Sequence, residues 1–116
     1  MHEARFPVEV VDGVAVVTAP EEIDVTNAAE LREALLRAAA DGHGTFVVDM
    51  SRTAFCDSAG LHALVAAHRR AQAEGDEVRL VTCGAAVLRI LAITGIDCVI
   101  PNFTTLDEAL PQAPAA

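Results

Sequence analysis

The sequence predicts an α/β domain, a mixed and mostly parallel sheet that opens with a β-hairpin and carries helices packed against it. Three observations lead there. Two β-branched runs near the start are separated by Asp12-Gly13, a strong signal for an antiparallel hairpin. The rest of the chain alternates segments of helical apolar spacing with short apolar runs bounded by turn residues, the pattern of successive βα units. No linker, repeat or low-complexity stretch divides the 116 residues, which is the length of one ordinary domain. A single domain over 1–116 is expected, with frayed ends at 1–6 and 111–116.

The elements follow in order. Residues 8–11 (VEVV) and 14–18 (VAVVT) form the hairpin, and Pro20 ends its second strand. From Asn27 the period changes: Ala28, Leu31, Leu35 and Ala38 recur at helical spacing, with Glu30, Arg32, Glu33 and Arg37 largely off that stripe. DGHG at 41–44 stops this helix. TFVVDM (45–50) reads as a central strand buried on both faces. Leu61, Leu64, Val65, His68 and Ala71 mark a second helix that stops near Gly75, and EVRLVT (77–82) is a third sheet segment. Val87, Leu88, Ile90 and Leu91 mark a third helix ending before Gly95. CVI (98–100) is read as a last strand and TTLDEAL (104–110) as a capped terminal helix.

Composition narrows the function. Hydrophobic residues make up 53% of the chain, without Trp or Tyr, so the core must come from Val, Leu, Ile and Ala. That suits close helix-on-sheet packing better than an aromatic-lined ligand pocket. A formal charge of −9 argues against nucleic-acid binding, which needs clustered Lys and Arg. The densest basic spot, His68-Arg69-Arg70, reads as a solvated helix face. Cys56, Cys83 and Cys98 form no C-x-x-C pair and sit among apolar neighbours, so buried free thiols in a reducing compartment are expected. The start has no signal-peptide core, and no apolar run reaches the ~18–20 residues that span a bilayer. The chain therefore reads as cytoplasmic, without a membrane role.

Parallel order places two loops on one edge. The loop after residues 14–18 carries Glu21, Glu22 and Asp24, and the loop after 45–50 leads into FCDSAGLH at 55–62. Both leave the C-terminal ends of their strands, where open α/β sheets place working groups. Asp24 and Ser58 are thus predicted neighbours. Ser58 itself fits a helix N-cap, because its oxygen can accept an orphan helix N–H. Gly60 is harder to explain by capping, since glycine in a first turn costs up to ~1 kcal/mol; it reads as backbone exposed to an approaching partner. CDSAG lacks the first glycine of a nucleophile elbow, and no residue pair supplies a general base with an oxyanion hole. The four carboxylates Glu21, Glu22, Asp24 and Asp57 match no metal-loop spacing, and no glycine pattern cradles a nucleotide phosphate. Neither catalysis nor a metal or other cofactor is expected.

The segment VVDMSRTAFCDSAGLHALVAAHRRAQAEG resembles the signature of bacterial STAS-domain anti-sigma factor antagonists, D-S-[ST]-G-L-G at a helix start. PEEIDVTNAAELREAL resembles the family's E-[LI]-D segment with its following helix, and RLVTCGAAVLRILAITGID its third block. The resemblance spans almost the whole chain and implies a single STAS domain. It implies binding to an anti-sigma factor that is also a serine kinase, release of a sigma factor, and phosphorylation of Ser58 that ends the contact. A PP2C-type phosphatase would restore the binding form. By the same resemblance Asp24 and Asp57 shape the phosphorylation site and the kinase-binding surface, together with Glu22, Ala59, Gly60 and His62, on a monomer or weak dimer. An alternative is a STAS scaffold or accessory module, stressosome-like or transporter-associated, without sigma factor control. Three departures stand out: Ala59 leaves Ser58 as the motif's one hydroxyl, His62 replaces the second glycine, and Asn27 takes the usual Thr slot beside Thr26. Either Thr26 or Asn27 can cap the first helix. His62 is a potential partner for a phosphate on Ser58 or a solvated helix residue.

Overall fold

Asp12 and Gly13 both lie in the left-handed region, with φ of 52° and 80°. That is the geometry of the two-residue turn that suits strand twist, and it joins β1 (Val8–Val11) to β2 (Val14–Thr18) in the predicted antiparallel pair. The computed structural model describes residues 6–40 and 44–111. After the hairpin come β3 (Glu22–Ile23), α1 (Ala28–Ala40), β4 (Phe46–Asp49), β5 (Phe55–Cys56) and α2 (Ser58–Ala73). β6 (Val78–Val81), α3 (Ala85–Thr94), a 3-10 turn (Ile96–Cys98), β7 (Asn102–Phe103) and α4 (Leu106–Ala109) complete the chain.

The main sheet runs β1-β2-β4-β6-β7, and every pair except the hairpin is parallel. Alternation along the strands divides the core. Ala15, Val17, Phe46, Val48, Val78 and Leu80 face one way, onto Leu31 and Leu35 of α1, Leu64 and Ala67 of α2, and Val87 and Leu91 of α3. Val14, Val16, Val47 and Val81 face the other way, where Leu106, Ala109 and Leu110 cover them. The prediction of a strand buried on both faces holds for β4, whose Phe46, Val47 and Val48 are all 0% exposed. Alanines at Ala38, Ala39, Ala63, Ala67 and Ala71 let α1 and α2 pack closely side by side. On the second face Arg79 ties α4 down. Its Nη1 donates to the Ala109 carbonyl at 3.1 Å, its Nε bonds Glu77 at 2.6 Å, and its guanidinium lies 5.5 Å from the Phe103 ring centre.

Three expectations change. Residues 98–100 are not a strand: the apolar run there is the end of the 3-10 turn, which buries Ile96 and Ile100, and the last strand is Asn102–Phe103. Pro101 still contributes to the sheet, its carbonyl accepting from Leu80 N at 2.9 Å. Phe6, placed in a frayed end by the sequence, is buried in the helix-side core, whereas residues 1–5 and 112–116 lie outside the described residues. So do Asp41, Gly42 and His43 of the first helix stop. Of the three cysteines only Cys56 is buried; Cys83 and Cys98 are exposed, because they lie beyond the ends of β6 and α3 and not within packed faces. Among the described residues, no helix is long and apolar enough to cross a membrane.

Candidate functional site

The two acidic-loop and serine-loop segments do meet, and a small second sheet joins them. β3 and β5 pair in parallel, Glu22 opposite Phe55 and Ile23 opposite Cys56. Ala54 N donates to the Glu21 carbonyl at 2.8 Å and Asp57 N to the Ile23 carbonyl at 3.0 Å, so the register carries on to set Asp24 level with Asp57. Thr53, 2% exposed, donates from Oγ1 to the Pro20 carbonyl at 2.7 Å and closes the base of the clip. Ile23 and Cys56 turn into the core, which holds the clip against the α2 start.

The other loop is braced from within. Asn27 Oδ1 accepts from Asp24 N at 2.9 Å, and its Nδ2 donates to the Glu22 carbonyl at 2.8 Å. Asp24 Oδ1 accepts from both the amide and the hydroxyl of Thr26. The Thr26 and Asn27 side chains therefore brace the loop, where the sequence had offered them as caps for α1.

At the α2 start the cap is Asp57, not Ser58. Asp57 has extended backbone (φ −89°, ψ −175°), and its Oδ1 accepts from Ala59 N at 2.9 Å and Gly60 N at 3.2 Å. An Asp in that place supplies a charge-assisted cap and suits the positive end of the helix dipole. Ser58 is the first helical residue, exposed, and its hydroxyl has no hydrogen-bond partner among the described residues. The cap explanation for the serine falls away.

Gly60 also changes meaning. It is buried, and a Cβ there would come within 2.6 Å of both Cys56 Sγ and Ile23 Cγ2. Close approach of the helix to the clip requires glycine, so the residue shapes the site from below and its backbone is not offered to a partner. Cys56 shares this tight place. Burial first, then the Asp57 charge, push its thiol up to about 11, which leaves it a neutral packing group.

Of the remaining predicted site residues, Glu22 and His62 are exposed and Ala59 half-buried. His62 stands one helical turn after Ser58. Exposed Val25 and Phe55 add apolar surface from the same two loops, at 78% and 49% exposure. Among the described residues no group of three or more His, Cys, Asp or Glu is placed to hold a metal ion. Sequence reasoning missed the bracing role of Thr53 and read Asn27 as a cap instead of the loop brace that it is. The only trace of Thr53 was a hydroxyl between strand and motif, with nothing to mark its burial.

Fold and site together define a helix-backed α/β module that displays, at one sheet edge, a capped helix start with an unengaged serine. The chain belongs to the STAS domain family, whose sequence profile matches residues 5–109. It is 35% identical over 101 residues to the anti-sigma-F factor antagonist RsfB of Mycobacterium tuberculosis, covering 85% of this chain and 80% of that protein. A crystal structure of an anti-sigma factor antagonist from Mycobacterium paratuberculosis superimposes with a TM-score of 0.83 at 36% identity, over 90% of this chain and 88% of that one. The phosphorylated form of the Bacillus cell fate determinant SpoIIAA shares the fold, with a TM-score of 0.69 at 21% identity over 90% of this chain and 95% of that one. Both mycobacterial relatives are anti-sigma factor antagonists.

Proposed function

We propose that this domain is itself an anti-sigma factor antagonist, acting in the cytoplasm and switched by phosphorylation of Ser58. It binds an anti-sigma factor that is also a serine kinase and so frees the sigma factor that the kinase holds. The kinase then transfers the terminal phosphoryl group of ATP to Ser58 Oγ. The new O–P bond replaces the bond to the leaving ADP, and the hydroxyl proton passes to a base on the kinase. The modified domain lets go, and a PP2C-type phosphatase returns it to the binding form.

The observation that carries this reading is the state of Ser58: exposed at the first helical position, with the capping task already taken by Asp57. Its hydroxyl can be modified without breaking a native hydrogen bond, so the fold survives. Phosphorylation adds roughly −1.5 to −2 charges to an edge that already carries Glu21, Glu22, Asp24 and Asp57. The Ala59 and Gly60 amides are held by Asp57, so the phosphate does not sink into the helix start. It stays on the docking face, where it repels an acidic or closely packed partner surface.

Incubation with the cognate kinase and ATP is expected to add one phosphate, mapped to Ser58 by mass spectrometry. Ser58→Ala is expected to abolish it with an unchanged circular dichroism melt, and Ser58→Asp to bind the kinase more weakly. Thr53 is excluded as acceptor by its burial and its bond to Pro20. Phosphate found mainly on exposed Thr26, or equal affinity of Ser58→Asp, would overturn the assignment.

A further inference from the structure

We propose that His62 is the in-chain partner of a phosphate on Ser58, binding it across one turn of α2 and partly neutralising its charge. The inference rests on the reading of Ser58 as the modified residue. Both side chains are exposed, and four residues along a helix bring Cβ atoms to ~5–6 Å on one face. Each Cα–Cβ bond tilts toward the helix N-terminus, so the imidazole leans back over the turn that begins with Ser58. No hydrogen bond or ion pair occupies His62 among the described residues.

The amides of the next two residues, Ala59 and Gly60, are engaged by the Asp57 carboxylate. A phosphate taking them would have to displace that anion from the positive end of the helix. Asp57 and Glu22 of β3 are like charges, and the other cations of α2 begin at His68, beyond His62 by a further turn and a half. Among neighbouring elements, α1 carries Glu30, Arg32, Glu33 and Arg37 in balance, Arg79 of β6 is engaged with Glu77 and Ala109 on the opposite sheet face, and the exposed Arg52 and Arg89 lie in the loop before β5 and in α3, not on α2. His62 is the basic side chain that α2 itself sets one turn from the hydroxyl.

The pairing has a consequence for the switch. A phosphate held by an imidazole is partly shielded and oriented along the helix surface, so His62 would slow its removal as well as temper its repulsion.

The test uses the full chain with phosphoserine installed at position 58 by genetic-code expansion, so that it needs no kinase. The 31P resonance is followed against pH for the parent, His62→Ala and His62→Lys. Pairing is expected to favour the dianion roughly two- to threefold, placing the parent's midpoint about 0.3–0.5 of a pH unit below that of His62→Ala. His62→Lys should restore the low midpoint, and 1 M salt should shrink the difference. Equal midpoints in parent and His62→Ala would overturn the pairing, as would a difference that Lys fails to restore. Failure of the cognate kinase to modify Ser58 would instead sink the switch itself and leave this measurement standing.

Discussion

Replacing Gly60 by alanine tests whether the helix start is seated against the clip as tightly as the geometry says. The added Cβ would lie 2.6 Å from Cys56 Sγ and 2.6 Å from Ile23 Cγ2, whereas ordinary contacts begin near 3.4 Å. Both obstacles are buried in the core, at 1% and 0% exposure, so neither can swing into solvent. Overpacking of this kind costs about 1–3 kcal/mol. Alanine's better helix propensity returns up to ~1 kcal/mol, leaving a net loss of up to about 2 kcal/mol. Urea denaturation measures it, as a lower midpoint at unchanged slope. Shortening one obstacle in the double variant Cys56→Ala/Gly60→Ala is expected to recover part of the loss, as a favourable coupling of about 0.5–1 kcal/mol. A Gly60→Ala protein at least as stable as the parent, or a double variant with no coupling, would refute the close-approach argument.

Other expectations follow from the same geometry. Asp57→Ala should lose about 1 kcal/mol with its two amide bonds, and Asp57→Asn less, because an amide oxygen still caps; thermal melts compare the two. Cys83 and Cys98 should react with a maleimide at neutral pH well before Cys56, as counted by mass spectrometry. Because the folded Cys56 thiol is raised to about 11, above its unfolded value of about 8.5, its contribution to stability is complete below pH ~8.5 and is lost as pH rises toward 11. The parent should therefore weaken more steeply over that window than Cys56→Ala. Arg79→Met should loosen α4, seen as faster amide exchange at Ala109 and Leu110 with little change in α2.

The regular elements could be read from the chain because each carries a period long enough to recognise. α1 and α2 repeat their buried residues at helical spacing over ten or more positions, α3 pairs Val87 with Leu91 four residues on, and the hairpin announces itself with Asp-Gly. The clip could not be read this way: two-residue strands such as Glu22–Ile23 and Phe55–Cys56 have no room for a period. The last strand was misplaced for a related reason. Cys98-Val99-Ile100 has strand composition, but the Val99 and Ile100 amides close a turn on the Ile96 carbonyl, and the pairing passes to the more polar Asn102. At the site, topology was enough to bring Asp24 toward Ser58. It did not reveal that Asp57 takes the cap, nor that Gly60 is glycine for lack of space, since the Asp57 amide is set by the Ile23 carbonyl and one of the two obstacles at Gly60 is Ile23, more than thirty residues earlier. Cys83 and Cys98 show the converse limit, since apolar neighbours in sequence need not be neighbours in space.

The clip has one more consequence, for the order in which the molecule assembles. Its two halves come from loops joined by a bond between residues 33 apart, Thr53 and Pro20. They can align only after β2 and β4 have paired and α1 has crossed between them. Local helix formation at 58–73 does not by itself present the serine in its final setting, because the cap residue's own amide hangs from Ile23. Long-range contacts of this sort form late, once loop closure has been achieved by the larger sheet. A nascent or half-folded chain thus lacks the shaped edge.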